Sequence, residues 1–428
     1  MQFVDIKKIK HIHFVGIGGI GVSALARMMI QEGKKVSGSD NSISEITEEL
    51  KKLGAEIKQG HNKDNVGANV DLVVCTAAVP KENPEVMEAH QKHIQVVSYS
   101  VMLGMVSEGK KVIAVSGTHG KTTTTAMLAD ILVGAGLDPT VVVGSLLLPS
   151  RTNFIAGESD IFLTEADEYK KSFLSLSPYV LVITNIDLDH LDFYKDLEDI
   201  QDAFSELVSK IPHDGFLICN TQHPHLIPVI EKAKCTVIDY SSVDKLTSLK
   251  VPGKHNQENA QAACAVANTL KVSKESIEKS LSQFRGAWRR FEFKGKTKGG
   301  ALVYDDYAHN PQKVRAVIEG ARELFPQKKI VLVFQPHLYS RTKTLLSEFA
   351  SSLGEADEVL LLPIFGAREV FDSTISSEML AEKTSAQAKT FSDTGLLKKY
   401  LDSSLTENDV CLLVGAGDIY LLAEGLVV

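Results

Sequence analysis

A β-branched run, Val112-Ile-Ala-Val115, breaks off at a glycine-bracketed turn, Gly117-Thr118-His119-Gly120. Lys121, Thr122 and Thr123 then open an apolar-periodic stretch that reaches Leu132. Strand, glycine turn and helix in that order require an α/β layer built on parallel strands. The same order makes a phosphate cradle. Backbone N–H groups and the helix dipole face an anion, the lysine adds a point charge, and the threonine hydroxyl can hold Mg²⁺. A general P-loop would start its glycines at position 115, where Val115 stands, so the turn is a shortened variant. The ligand it implies is ATP, with Mg²⁺ and with Mn²⁺ as the alternative ion.

The chain has 428 residues, enough for roughly three domains of about 150 residues each. Its 46 basic and 54 acidic residues leave a net charge of −8, which offers no general attraction to nucleic acid or to an anionic membrane. Any anion must therefore be met by a local cradle. Cys75, Cys219, Cys235, Cys264 and Cys411 form no Cys-x-x-Cys pair and read as reduced thiols of a cytoplasmic protein. The first residues carry no signal-peptide apolar core, and no apolar run approaches membrane-spanning length.

Strand-like and helix-like segments alternate in three blocks, 1–108, 109–291 and 292–428. In the first, the strand from His11 ends at Gly16-Ile-Gly18-Gly19-Ile-Gly21, and Asp40 lies where a ribose-binding acid is expected. That pattern requires a nucleotide diphosphate close to a backbone turn, which NAD and a UDP-sugar satisfy equally. In the second block, Glu165-Ala-Asp167-Glu168 and Thr184-Asn185-Ile-Asp187-Leu-Asp189-His190 end two strands on the edge that carries the phosphate loop. Hard cations take oxygen ligands, so Glu165 and Thr122 suit one metal, and His190 a second that bridges the γ-phosphate and an acceptor carboxylate. Asn256 and Asn259 sit one turn apart and could read an adenine edge or cap a turn. Lys294–Gly300 reads as a hairpin or linker near the second boundary.

Together these segments resemble the Mur ligases, ATP-dependent amide ligases of peptidoglycan precursor synthesis. Gly117–Thr123, Glu165–Glu168, Thr184–His190, His255-Asn-x-x-Asn259, Arg289-Arg290-Phe291, Asp305-Asp306-Tyr307-Ala-His309-Asn310-Pro311 and Phe334-Gln-Pro-His337-Leu338-Tyr-Ser-Arg341 follow the family's order. The resemblance implies three α/β domains: an N-terminal Rossmann-like one, a central P-loop ATPase-type one, and a C-terminal Rossmann-like one. Gly16, Gly18, Gly19, Gly21 and Asp40 would then hold a UDP-sugar rather than NAD. Gly117, Thr118, His119, Gly120, Lys121, Thr122, Thr123, Asn256, Asn259, Arg290 and Asp306 would contact ATP, and Thr122, Glu165 and His190 would bind metal. Tyr307, His309, His337 and Arg341 would line the amino-acid side, with Lys121, Glu165, His190, His309 and Arg341 carrying the chemistry.

The implied substrates are UDP-N-acetylmuramate and L-alanine, in a monomer or weak homodimer whose domains close on them. A recycling ligase that adds a preformed tripeptide, and a catalytically silent nucleotide sensor, are the alternatives; a nicotinamide oxidoreductase ranks last because it leaves the ATP loop without a role. Two positions depart from the family pattern. Leu338 stands where an arginine is usual, and Asn310 where a histidine often follows His309. Ser205 occupies the offset of a carbamylated lysine known in several members, so none is expected here.

Overall fold

A computed structural model describes residues 5–428 except 77, 149, 247, 248 and 368. Ala77, part of the predicted strand Asp71–Ala78, and the first four residues of the chain thus lie outside it. The chain divides into two compact units, one of residues 1–249 and 257–284, the other of residues 250–256 and 285–428.

The larger unit carries two sheets. The first contains β1 (His11–Val15), β2 (Lys35–Asp40), β3 (Glu56–Gln59), β4 (Leu72–Cys75) and β5 (Gln95–Ser98), in the order β3-β2-β1-β4-β5. All its pairings are parallel. The strand order reverses beside β1, so the loop after β1 opens at a topological switch point, where doubly wound sheets bind ligands. The second sheet contains β6 (Lys111–Ser116), β7 (Thr140–Leu147), β8 (Thr152–Ile155), β9 (Ile161–Glu165), β10 (Val180–Ile183), β11 (Phe216–Cys219) and β12 (Thr236–Asp239). Its order is β12-β11-β10-β6-β9-β7-β8, and only the β7–β8 edge is antiparallel. β6, which feeds the phosphate loop, is therefore flanked by β9 and β10, whose ends carry Glu165 and Thr184. Val112, Ile113, Ala114 and Val115 are all at most 2% exposed. Such a run has no polar face because helices cover both sides of a parallel sheet.

In the smaller unit, β13 (Glu292–Lys296), β14 (Leu302–Asp306), β15 (Lys329–Phe334), β16 (Glu358–Leu361), β17 (Gln387–Thr390) and β18 (Asp409–Val414) are ordered β13-β14-β18-β15-β16-β17. β13 and β14 pair antiparallel, so Lys294–Gly300 is a hairpin rather than a linker. Two apolar clusters, one around Phe334 and Phe349 and one around Leu397 and Leu413, cover the two faces of this sheet. All five cysteines are free thiols. Among the described residues no helix is long and apolar enough to cross a membrane.

Candidate active site

The phosphate loop joins β6 to a helix, Lys121–Gly134. Gly117 and Gly120 take φ of 125° and 87°, a region that favours glycine. Space forbids a side chain as well: a Cβ on Gly117 would lie 2.2 Å from Thr184 Oγ1, and one on Gly120 2.3 Å from Asn259 Oδ1. Asn259 therefore reaches the phosphate loop itself. Thr118 N–H donates to Asn185 O at 3.1 Å, and His119 N–H to Asn185 Oδ1 at 2.9 Å. The Asn185 amide returns a bond to His119 O at 3.1 Å. These bonds fix the loop's path and give Asn185 a bracing role.

Behind the loop lies the charged centre. Lys121 Nζ donates to Gly117 O at 2.6 Å and to the two Glu168 oxygens at 3.0 and 2.8 Å. His190 Nε2 lies 3.6 Å from Glu168 Oε1, and its ring packs on Tyr169. Glu168 is only 2% exposed, and the Tyr194 hydroxyl donates to its backbone carbonyl. Burial works to raise the Glu168 pKa, but Lys121 and His190 outweigh it and hold the carboxyl at about 2. Burial likewise opposes the Lys121 ammonium, and Glu168, Asp167 and Glu165 overcome it, so the lysine sits above its ordinary value. Thr122 Oγ1 donates to Glu165 Oε2 at 3.0 Å, and Gly144 N–H to Glu165 Oε1 at 2.7 Å.

Thr122 and Glu165 are thus brought together as expected from the sequence. The carboxylate beside His190 and Lys121 is Glu168, which the sequence reading keeps in its motif but ranks below Glu165. Donor atoms of Asp167, Glu168 and His190 lie within 4.8 Å of one another, an oxygen-rich set with one imidazole that suits a hard divalent cation.

At the other sheet of this unit, Gly16 N–H and Ile17 N–H donate to Ser39 O, and Gly18 N–H donates to Asp40 Oδ2 at 2.9 Å. Asp40 therefore ties the glycine loop to the end of β2.

In the smaller unit, Asn256 donates from its amide to Pro252 O at 2.6 Å. Asp306 ends β14 and accepts from Phe291 N–H and Ala308 N–H, both at 2.7 Å. His309 Nδ1 donates to Tyr307 O at 2.9 Å, which leaves a lone pair on Nε2. Burial, helped by Lys313, holds His309 well below its ordinary pKa and keeps it neutral. Arg341 donates to His337 Nδ1 at 3.4 Å, and the His337 ring centroid lies 6.4 Å from that of His309. Tyr307, His309, His337 and Arg341 accordingly form one group, with the Arg290 guanidinium 5.5 Å from the centre of the Tyr307 ring.

Its neighbour Arg289 is buried. It is 3% exposed, donates to Asp305 Oδ2 at 3.1 Å and to Gly417 O at 3.0 Å, and also reaches Gly415 O. Leu338 holds a φ of 71° as its N–H donates to Phe365 O. Asn310 caps the helix Pro311–Leu324 by accepting from Lys313 N–H at 2.9 Å.

Residues 11–111 match the Mur ligase family catalytic domain, 115–248 the Mur ligase middle domain, and 289–417 the Mur ligase glutamate ligase domain. The chain belongs to the Mur ligase family. It is 42% identical to a UDP-N-acetylmuramate–L-alanine ligase of Clostridium acetobutylicum, over 97% of each chain. A protein of the same name from Clostridium botulinum is also 42% identical, over 99% of each. Among solved structures, a UDP-N-acetylmuramate-alanine ligase from Thermotoga maritima superposes with a TM-score of 0.82 at 32% identity, covering 97% of this chain and 98% of that one. A murein peptide ligase from Psychrobacter arcticus gives 0.71 at 25% identity, covering 97% and 98%. The three matched Mur ligase segments coincide with the three sheets, and its three-domain α/β architecture accounts for their order.

Sequence reasoning missed two residues of this Mur ligase. Glu168 closes a motif already recognised, but nothing local distinguishes it from Glu165 three positions earlier. Arg289 stands beside a second arginine, and pairing in sequence conceals that only one of the two is buried.

Proposed function

We propose that this chain joins L-alanine to the lactyl carboxylate of UDP-N-acetylmuramate at the expense of ATP, in cytoplasmic peptidoglycan precursor synthesis. The observation that carries the reading is the Lys121–Glu168–His190 centre behind a glycine phosphate loop, in a chain whose full-length relatives bear that name.

The lactyl carboxylate attacks the γ-phosphorus of ATP, the bond to the bridging oxygen breaks, and ADP leaves. The amine of L-alanine then adds to the acyl carbon and loses a proton, and the tetrahedral intermediate expels phosphate. Both reagents are reactive, so positioning and electrostatics carry most of the acceleration. Lys121 neutralises charge on the transferring phosphoryl group, and Glu168 holds the ammonium in place. The N–H groups at the helix start, from Gly120 to Thr122, bind phosphate oxygens, and Asn259 and Asn256 serve the adenine.

His309 is neutral with Nε2 available, and it accepts the proton of the attacking amine. Arg341 and Tyr307 hold the amino-acid carboxylate, and Arg290 and Asp306 serve the nucleotide. Gly16, Gly18, Gly19, Gly21 and Asp40 form the UDP-sugar end. The donor set fits Mg²⁺, or Mn²⁺: Thr122 with Glu165 and, beyond the sequence expectation, Glu168 with His190 would hold it. When bound, the ion neutralises charge on the phosphate oxygens.

Phosphate release from ATP with UDP-N-acetylmuramate tests the reading. L-alanine should drive release far more strongly than glycine, L-serine, a preformed tripeptide or no amine. Release that requires the tripeptide would replace this reading with a recycling ligase, and release indifferent to every amine would remove the acceptor site altogether.

A further inference from the structure

A second cluster of metal-ligand type lies apart from Lys121 and Glu168. It contains Asp187, in the segment after β10, and His223 and His225, in the segment after β11. One donor atom of each lies within 4.8 Å of the other two, and the group shares no residue with Asp167, Glu168 and His190. β10 and β11 are adjacent parallel strands, so their following segments emerge side by side at one edge of the sheet.

The donors have the chemistry of a metal site. Asp187 Oδ1 lies 3.6 Å from His225 Nδ1. That is close to the separation of two ligands each about 2.0–2.1 Å from one ion. His223 Nδ1 is buried without a hydrogen-bond partner, an uncommon state for a polar nitrogen. The His223 and His225 ring centroids are 5.2 Å apart. His225 Nδ1 donates to Ile186 O at 2.7 Å and so carries the ring proton in the ion-free chain. Binding at Nε2 keeps that bond, the usual second-shell arrangement for a ligating histidine. Binding at Nδ1, the nitrogen that faces Asp187, gives up the bond to Ile186 O and shifts the proton to Nε2.

Asp187 is anchored: its N–H donates to Thr118 Oγ1 at 2.9 Å, and that hydroxyl donates back to Asp187 O at 3.3 Å. His119 Nε2, also on the phosphate loop, lies 3.9 Å from Asp187 Oδ2. The Asp187 and His225 side chains are 37% and 40% exposed, open enough for an ion to enter from solvent.

We propose that Asp187, His223 and His225 bind a late first-row divalent cation of the zinc class and so tie the segment after β11 to the phosphate loop. Two imidazoles and one carboxylate are borderline-soft donors that favour zinc over magnesium, and three protein ligands leave a fourth position for water.

The test is titration of the full-length chain with Zn²⁺ against a chromophoric chelator, and with Co²⁺ read by its visible absorption. His190→Ala removes a ligand from the other cluster, and in that background one tight equivalent should persist. Adding His223→Ala or His223→Gln should weaken it by about 100-fold or more and abolish the Co²⁺ bands. Zn²⁺ should also raise the Tm of the His190→Ala protein and leave that of the double variant unchanged. Circular dichroism confirms folding, and His223 makes no hydrogen bond through Nδ1 whose loss would itself unfold the segment. An equally tight equivalent in His190→Ala/His223→Ala, or no tight equivalent in His190→Ala, would overturn the proposal.

Discussion

At the scale of single residues, the centre is defined by which carboxylate faces which cation. Glu168 is buried against Lys121 and held ionised by it, so each is costly to remove alone. Lys121→Ala should lower turnover at least about 100-fold, about 2.7 kcal/mol of transition-state stabilisation. Glu168→Gln should cost on the order of 100-fold as well, because the lysine loses the charge that orients it. Steady-state phosphate release checks both, and near-normal turnover in either variant would remove that residue from the centre. Arg289 gives a sharper contrast. As one of a solvated pair it could be truncated at little cost. Buried against Asp305 and two backbone carbonyls, its replacement by alanine should destabilise the protein by about 3 kcal/mol, measured by denaturant unfolding. The two carbonyls belong to residues more than a hundred positions away in sequence, and Asp305 lies on β14, so no local pattern reveals them.

Among secondary-structure elements, what the sequence made legible was whatever depends on short range. The phosphate loop needs two glycines, a lysine and a threonine within six positions, and Gly117–Thr122 supplies them. Lys294–Gly300 reads as a hairpin or a linker, and only the antiparallel pairing of β13 with β14 decides for the hairpin. Glu168 was harder, since Glu165 ends β9 and Glu168 stands only three positions further on. Only packing selects between them: Glu165 is taken by Thr122 and Gly144, and the Tyr194 hydroxyl holds the Glu168 backbone. Asn310 shows the converse. Its departure from the family pattern concerned substrate binding, whereas its side chain does the local work of a helix cap. Asn310→Ala should cost about 1 kcal/mol in a thermal or denaturant melt.

The helix Lys121–Gly134 also carries a titration. Burial raises Asp130 to about 6, above its ordinary value of 3.8. A carboxyl with a raised folded pKa binds its proton more tightly when folded, so its contribution to stability falls as pH rises from about 4 to about 6. Asp130→Asn should therefore match the parent near pH 4 and exceed it by on the order of 2 kcal/mol at pH 8. An equal difference at both pH values would refute that account.

Considered as a whole molecule, the chain shows how much a common scaffold leaves open. A glycine fingerprint before Asp40 fits a dinucleotide or a UDP-sugar, because the backbone turn recognises a diphosphate and little else. Order along the chain narrows the choice. The fingerprint, the phosphate loop, the carboxylate and histidine motifs and the group around His309 and Arg341 follow one another as in the Mur ligases, across three sheets. Neither Leu338 nor Asn310 disturbs that order. Leu338 keeps a left-handed backbone fixed by its bond to Phe365, and the neighbouring Arg341 and His337 stay paired.

The central claim is that ATP activates the sugar carboxylate before the amine attacks. UDP-N-acetylmuramate labelled with heavy oxygen in its lactyl carboxylate, turned over with ATP and L-alanine, tests this most directly. The account predicts that the inorganic phosphate, weighed by mass spectrometry, carries a labelled oxygen while the new amide keeps the other. Unlabelled phosphate with both labels retained in the UDP-sugar would mean that ATP is hydrolysed by water, and would contradict the account.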